Sequence, residues 1–152
     1  FKIRSDYLRV LERKRKISAW LIKSLKLQHL LPKRARIISY NRGRKIKFPV
    51  FIELSKDFGC VLGWYTAEGS INDRKINFDL GKNEEKRVRE LILKIKKVFS
   101  LEGKYRRESS KIRLTVSSTI LVHLLKRLGI KNNARRKEIP WIIFHSPPET
   151  QL

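Results

Sequence analysis

Hydrophobic residues in the middle of the chain predict a helix followed directly by a hairpin. Residues 57–68 have helical spacing and stop before Gly69, which we expect to close the helix in a left-handed conformation. Residues 75–80 alternate between apolar and polar with period two, as half-buried strands do. Residues 70–71 supply the partner strand across a turn at 72–73.

A second helix and a second hairpin are predicted after the first. Apolar residues at helical spacing between 88 and 99 predict a helix that Asn83 caps. Strands at 104–108 and 111–116 flank a turn at residues 109–110. Ser117 or Ser118 then caps a helix that Gly129 ends. The predicted order is helix, two strands, helix, two strands, helix.

Two such hairpins in one layer predict an α+β fold with a four-stranded antiparallel sheet and helices on one face. The side chains expected to face the helices are Ile76, Phe78, Ile112, Leu114 and Val116. Those expected on the open face, as DNA-binding residues or their neighbours, are Lys75, Asn77, Lys104, Arg106, Lys111, Arg113 and Thr115. A basic sheet face suits a nucleic-acid backbone. Exposed strands need polar residues in any case, and lysine also blocks edge pairing.

The charge of the chain strengthens the nucleic-acid interpretation. The 152 residues include 37 Lys and Arg against 14 Asp and Glu, which gives a net charge of +23. A polyanion is the expected partner, although ribosomal and membrane-surface proteins share this balance. One cysteine excludes a disulfide framework, and no apolar run approaches the roughly 20 residues of a membrane span. We therefore expect an intracellular protein that associates with nucleic acid.

The first third of the chain carries most of the positive charge. Residues 1–49 contain sixteen Lys and Arg and two acidic residues. Apolar residues around Tyr7 and at 18–25 predict two short helices. We expect a basic helical N-terminal extension over 1–49, either helix-turn-helix-like or binding phosphates without reading sequence, and a second domain over 50–152.

Small residues recur every four positions in the helix before Gly69. Gly59, Gly63 and Ala67 therefore share one face. A glycine inside a helix costs about 1 kcal/mol relative to alanine, so two of them need a reason. Close approach of a second helix is such a reason. Glu68 lies at the edge of this face.

The segment 61–69 resembles the nine-residue signature of the LAGLIDADG homing endonucleases, with Glu68 in place of the usual final Asp. Ser70 and Ile71 suit the archaeal and intein-type branch of the family. Residues 137–140 are similar to its Lys-x-Ile-Pro element. The resemblance covers about residues 50–144, and it implies the family's αββαββα fold.

The resemblance also implies an activity and a set of site residues. Two signature helices pack together, so that one acidic residue from each holds Mg²⁺ at the scissile phosphates; here Glu68 and Gly69 would take that place. Lys137 would assist catalysis, with Arg135 and Arg136 on DNA. The implied function is a site-specific double-strand break, as in intron or intein mobility. With one signature visible, the chain would work as a homodimer.

Several alternatives stand beside this interpretation. The chain could be a non-catalytic nucleic-acid-binding protein of the same fold, either an RNA-splicing maturase or a DNA-binding regulator, or one half of a longer two-motif enzyme. Lys137 could contact phosphate alone. Asp79 faces the expected DNA side, as either a base-edge acceptor or a neutraliser of surface charge.

Overall fold

The computed structural model describes residues 19–41, 44–130, 138 and 140–148. Its helices are α1 (Ala19–Ser24), α2 (Lys56–Glu68), α3 (Glu85–Phe99), α4 (Thr119–Arg127) and α5 (Trp141–Phe144), with a 3-10 turn at Leu27–Leu30. Its strands are β1 (Arg36–Asn41), β2 (Arg44–Pro49), β3 (Gly69–Asn72), β4 (Lys75–Gly81), β5 (Gly103–Arg107) and β6 (Lys111–Ser117).

Four strands form an antiparallel sheet in the order β3-β4-β6-β5. Each outer strand is joined to an inner one by a hairpin, and the two hairpins meet where β4 pairs with β6. The helices α2, α3 and α4 contact the sheet. The predicted α+β class, sheet and order of elements from α2 to α4 are therefore confirmed.

The core lies between the sheet and these helices. Ile76, Phe78 and Leu80 of β4 are buried, as are the three apolar residues of β6, which are Ile112, Leu114 and Val116. From the helices come chiefly Phe58, Leu62, Tyr65, Val88, Leu91, Ile95 and Phe99. The alternate residues that are buried on the strands thus pack against the apolar stripes of the helices, as the sequence predicts.

Side-chain caps fix where two of the helices begin. The Ser55 hydroxyl accepts a hydrogen bond from the Phe58 backbone N–H at 3.4 Å, and the Ser118 hydroxyl accepts one from the Leu121 N–H at 3.2 Å. Beyond α4, Gly129 has a φ of 78°, the left-handed conformation that the sequence predicts there. At α3 the cap position is Glu84 and not the predicted Asn83.

Gly69 does not have the predicted left-handed conformation. Its φ is −80°, and it is the first residue of β3, so α2 passes directly into a strand. Close packing explains the glycine instead, because a Cβ atom here would lie 2.5 Å from the carbonyl oxygen of Tyr65 and would overlap its ring. The following turn is also one residue later than predicted, at 73–74.

The predicted helical character of residues 1–49 is wrong for residues 36–41 and 44–49, which are strands. The helix α1 matches the helix predicted at residues 18–25. The strands β1 and β2 form an antiparallel hairpin. Phe48 of this hairpin is 3% exposed and stacks on Phe99, with ring centroids 5.9 Å apart. The helix predicted around Tyr7 lies outside the described residues, so a helix-turn-helix stays a prediction.

Candidate nucleic-acid interface

The open face of the sheet carries the polar residues that alternate with the core. Strand register places Lys104 opposite Thr115 and Arg106 opposite Arg113, so these pairs share that face. The face consists of Ser70, Asn72, Lys75, Asn77, Asp79, Lys104, Arg106, Lys111, Arg113, Thr115 and Ser117. The structure therefore brings together six of the eight predicted DNA-binding residues. The other two, Arg135 and Arg136, lie outside the described residues.

Asp79 neutralises two of these cations. It lies directly opposite Arg113, which donates hydrogen bonds to its two carboxylate oxygens at 2.7 and 2.9 Å. Lys111 donates to the same carboxylate at 2.7 Å. Hydrogen bonds from Arg113, and then from Lys111, lower the pKa of Asp79 to about 2. Of the two roles open for Asp79, these contacts support the neutraliser.

Glu108, just past β5, binds cations at one end of the face. Arg106 Nε donates to its carboxylate at 2.9 Å, and Arg113 Nη1 lies 3.5 Å from it. Lys111 is more distant, at 3.9 Å. Arg106, Lys111 and Arg113 are therefore held in a network with two carboxylates. Such a network fixes the geometry of the cations and reduces the net charge that they offer.

Lys75 and Lys104 are the uncompensated cations of the face. Both are exposed, and neither forms an ion pair with any residue that the structure describes. Between them, Thr115 donates a hydrogen bond to the amide oxygen of Asn77 at 2.8 Å. The amide oxygen of Asn77 is thereby occupied, while its N–H groups can donate to a ligand.

The hairpin β1–β2 adds a wall to this face. Arg44, Lys45 and Lys47 of β2 line a groove of about 800 Å³, whose floor includes Lys75 and Lys104. Sequence reasoning missed this wall. Its signals were the alternation of Lys45-Ile46-Lys47-Phe48 and a glycine shortly before it in the sequence.

Glu68, the predicted metal ligand, is the exposed last residue of α2. Among the described residues, no three His, Cys, Asp or Glu side chains are placed to hold a metal ion. Mg²⁺ prefers near-octahedral oxygen ligation, and a single carboxylate with the neighbouring Gly69 does not provide a Mg²⁺ site within one chain. The Mg²⁺ prediction depends on Glu68 from each of two copies, so a single chain does not test it and it stays a prediction. Lys137, the predicted catalytic lysine, lies outside the described part of the chain.

The small face of α2 is open to solvent. Gly63 and Ala67 are exposed and Gly59 is partly exposed. A Cβ atom added at Gly63 would meet nothing within 4 Å. No close approach within the described chain therefore requires a glycine at this position.

Comparisons with known proteins relate the chain to two longer proteins of Methanocaldococcus jannaschii. Over 98 residues, 64% of this chain, it is 37% identical to transcription initiation factor IIB. Over 111 residues, 70% of this chain, it is 30% identical to an uncharacterized protein. The chain spans only 14% of the length of either relative. No family model matches it.

The first relative contradicts the predicted activity. Its name refers to transcription initiation, and neither name refers to a nuclease. The predictions of a homing endonuclease, of a hydrolase and of intron or intein mobility are therefore wrong on this finding. The resemblance to the LAGLIDADG family and the homodimer are tested by neither relative and stay predictions. Among the described residues, no helix is long and apolar enough to cross a membrane.

Proposed function

We propose that this chain is a double-stranded DNA-binding domain that acts in transcription, on a fold of the LAGLIDADG type. The role in transcription is inferred from the name of the first relative. The fold is supported by the order α2-β3-β4-α3-β5-β6-α4, which is the αββαββα order that the resemblance implies. The proposal keeps the binding function that the resemblance allows, without the cleavage.

One observation carries the proposal: a sheet with one face covered by helices presents Lys and Arg from three strands on its other face. Lys75, Lys104 and Arg106 are exposed there. Duplex DNA carries about one negative charge per 1.7 Å of its axis, so a surface of distributed cations binds it by releasing counterions. Sheets are known to contact DNA through either groove.

Fluorescence anisotropy with a labelled duplex of mixed sequence tests the binding. At about 50 mM salt, Lys75→Gln/Lys104→Gln should weaken binding at least about tenfold, because two phosphate contacts are lost. The control is Lys86→Gln/Lys96→Gln, which removes the same charge from exposed positions on α3, the helix that packs on the covered face. No binding by the wild-type chain, or equal loss in both variants, would overturn the proposal.

Two further measurements test the non-catalytic and transcriptional parts. A denaturing gel of DNA incubated with the protein and Mg²⁺ should show an uncut duplex, and a defined cleavage product would overturn the binding-only role.

Selection from a pool of random duplexes should enrich one sequence, as expected for a protein that marks a site in transcription. An unenriched pool would limit the domain to general DNA binding.

We also propose that two copies pair through the small face of α2. The support is the exposed glycine at position 63, which costs about 1 kcal/mol of helix stability although a Cβ atom added there would meet nothing within 4 Å. Sedimentation equilibrium should give a mass near twice 18.1 kDa. Gly63→Leu places an apolar side chain at an exposed position where a Cβ atom meets nothing within 4 Å, so it should yield a folded monomer. A wild-type monomer at every concentration, or an undisturbed dimer in the variant, would contradict this pairing.

A further inference from the structure

We propose that β2 and the open face together enclose one phosphodiester strand of the nucleic acid, with the hairpin β1–β2 as a side wall. This inference rests on the proposed DNA binding and adds to it a second, separate binding element. Lys45 and Lys47 lie on the wall, and Lys75 and Lys104 lie on the floor of the same groove.

The charge of the groove favours a polyanion. Lys45 and Lys47 are exposed and form no ion pair within the described residues, as is the case for Lys75 and Lys104. Among the described residues that line the groove, Glu102 is the one acidic residue, and Arg44 Nη2 contacts its carboxylate at 2.5 Å. Four cations are therefore left without a carboxylate partner.

The wall is anchored to the core. Its last two residues, Phe48 and Pro49, are buried, and Phe48 stacks on Phe99 of α3. The next residue, Val50, donates a backbone hydrogen bond to Ala35 across the base of the hairpin at 3.2 Å. The lysines of β2 are thus held by a packed element, so a ligand does not have to order a loop when it binds.

The neutral residues of the groove indicate an extended chain as the occupant. Asn72, Asn77, Thr115 and Ser117 also line it and offer hydrogen bonds between the cations. Sites for small molecules are mostly apolar, whereas this groove is lined chiefly by Lys, Arg and hydroxyl or amide side chains. A repeating phosphate backbone matches cations that lie along both wall and floor. An acidic peptide is the competing occupant.

The experiment measures how duplex binding depends on salt for Lys45→Gln/Lys47→Gln. Each lost phosphate contact should reduce the slope of log affinity against log salt by about 0.9, so we expect a reduction of about 2 and a loss of affinity of at least about tenfold at 50 mM salt. The matched control is Lys86→Gln/Lys96→Gln on α3. Because all four lysines are exposed, each variant should fold, which circular dichroism would check.

The outcomes separate this inference from the proposed function. A wild-type slope in the hairpin variant, together with a reduced slope in Lys75→Gln/Lys104→Gln, would overturn the wall and leave the DNA-binding sheet intact. Wild-type slopes in both variants would overturn the wall and the function of the sheet together. Polyglutamate at an equal concentration of charge serves as a competitor. If it displaces bound DNA, and if only the binding of the peptide depends on the hairpin lysines, the phosphodiester strand is overturned as the occupant.

Lysine acetylation followed by mass spectrometry gives a second measurement that needs no variant. Bound duplex should protect Lys45 and Lys47 at least about threefold against acetylation, whereas Lys86 and Lys96 should react as in the free protein. Protection of Lys75 and Lys104 without protection of the hairpin lysines would overturn the wall.

Discussion

Asp79 holds two of the basic residues of the open face in a fixed arrangement. Arg113 and Lys111 both bind its carboxylate, and the side chains of all three residues are about one-third exposed. A long cationic side chain that is held in place loses less freedom when it binds DNA. Asp79 therefore lowers the net positive charge of this surface and fixes the positions of Arg113 and Lys111.

The low pKa of Asp79 predicts a loss of stability in acid. Since its folded-state pKa of about 2 lies below the ordinary value of 3.8, its contribution is complete above pH 3.8 and is lost as the pH falls towards 2. Asp79→Asn removes this contribution at every pH. Thermal unfolding at pH 5 should show a higher melting temperature for the wild type, and the difference should shrink at pH 2. A difference that stays constant between these values would contradict the assignment.

Among the elements, α2 is linked to α3 by hydrogen bonds to the carboxylate of Asp57. Asp57, in the first turn of α2, accepts hydrogen bonds from Lys94 at 2.8 Å and Lys97 at 2.6 Å. These bonds hold the pKa of Asp57 below its usual value. The position at a helix N-terminus also favours a negative charge.

Asp57→Asn should therefore lower the free energy of unfolding by about 1 kcal/mol. The control is Glu90→Gln, which removes the same charge from an exposed position on α3 that has no ion pair among the described residues. Urea unfolding measures both variants. Equal effects would show that net charge, and not the link between the two helices, determines the loss.

The sequence was sufficient to predict elements that local patterns determine. From α2 to α4, period-two strands, helical stripes and the serine cap of α4 all act within a few residues, so order and facing could be predicted. The hairpin β1–β2 was missed because its lysines and arginines were taken for a helical arm, and because Phe48 finds its partner, Phe99, far along the chain. The Asp79 network was equally hidden, since it depends on the register of β4 against β6.

For the whole molecule, a net charge of +23 on 152 residues means that the folded chain repels itself. Screening acts over about 10 Å at 0.1 M salt, so it should relieve much of this repulsion. We expect the melting temperature to rise between about 20 and 200 mM NaCl, and to rise further with bound duplex DNA. A melting temperature that falls with salt would mean that surface ion pairs outweigh the net repulsion.

The order of the sheet has a consequence for the speed of folding. The hairpins β3–β4 and β5–β6 each join neighbours in the chain, whereas the central β4–β6 pairing spans residues 75 to 117. Strands that are neighbours in the chain pair quickly. Strands that are distant in the chain pair more slowly, because closing the longer loop costs more chain entropy. The central seam should therefore limit the folding rate. Weakening the contact between Phe78 and Leu114 should slow refolding, while damage to an outer strand should mainly hasten unfolding.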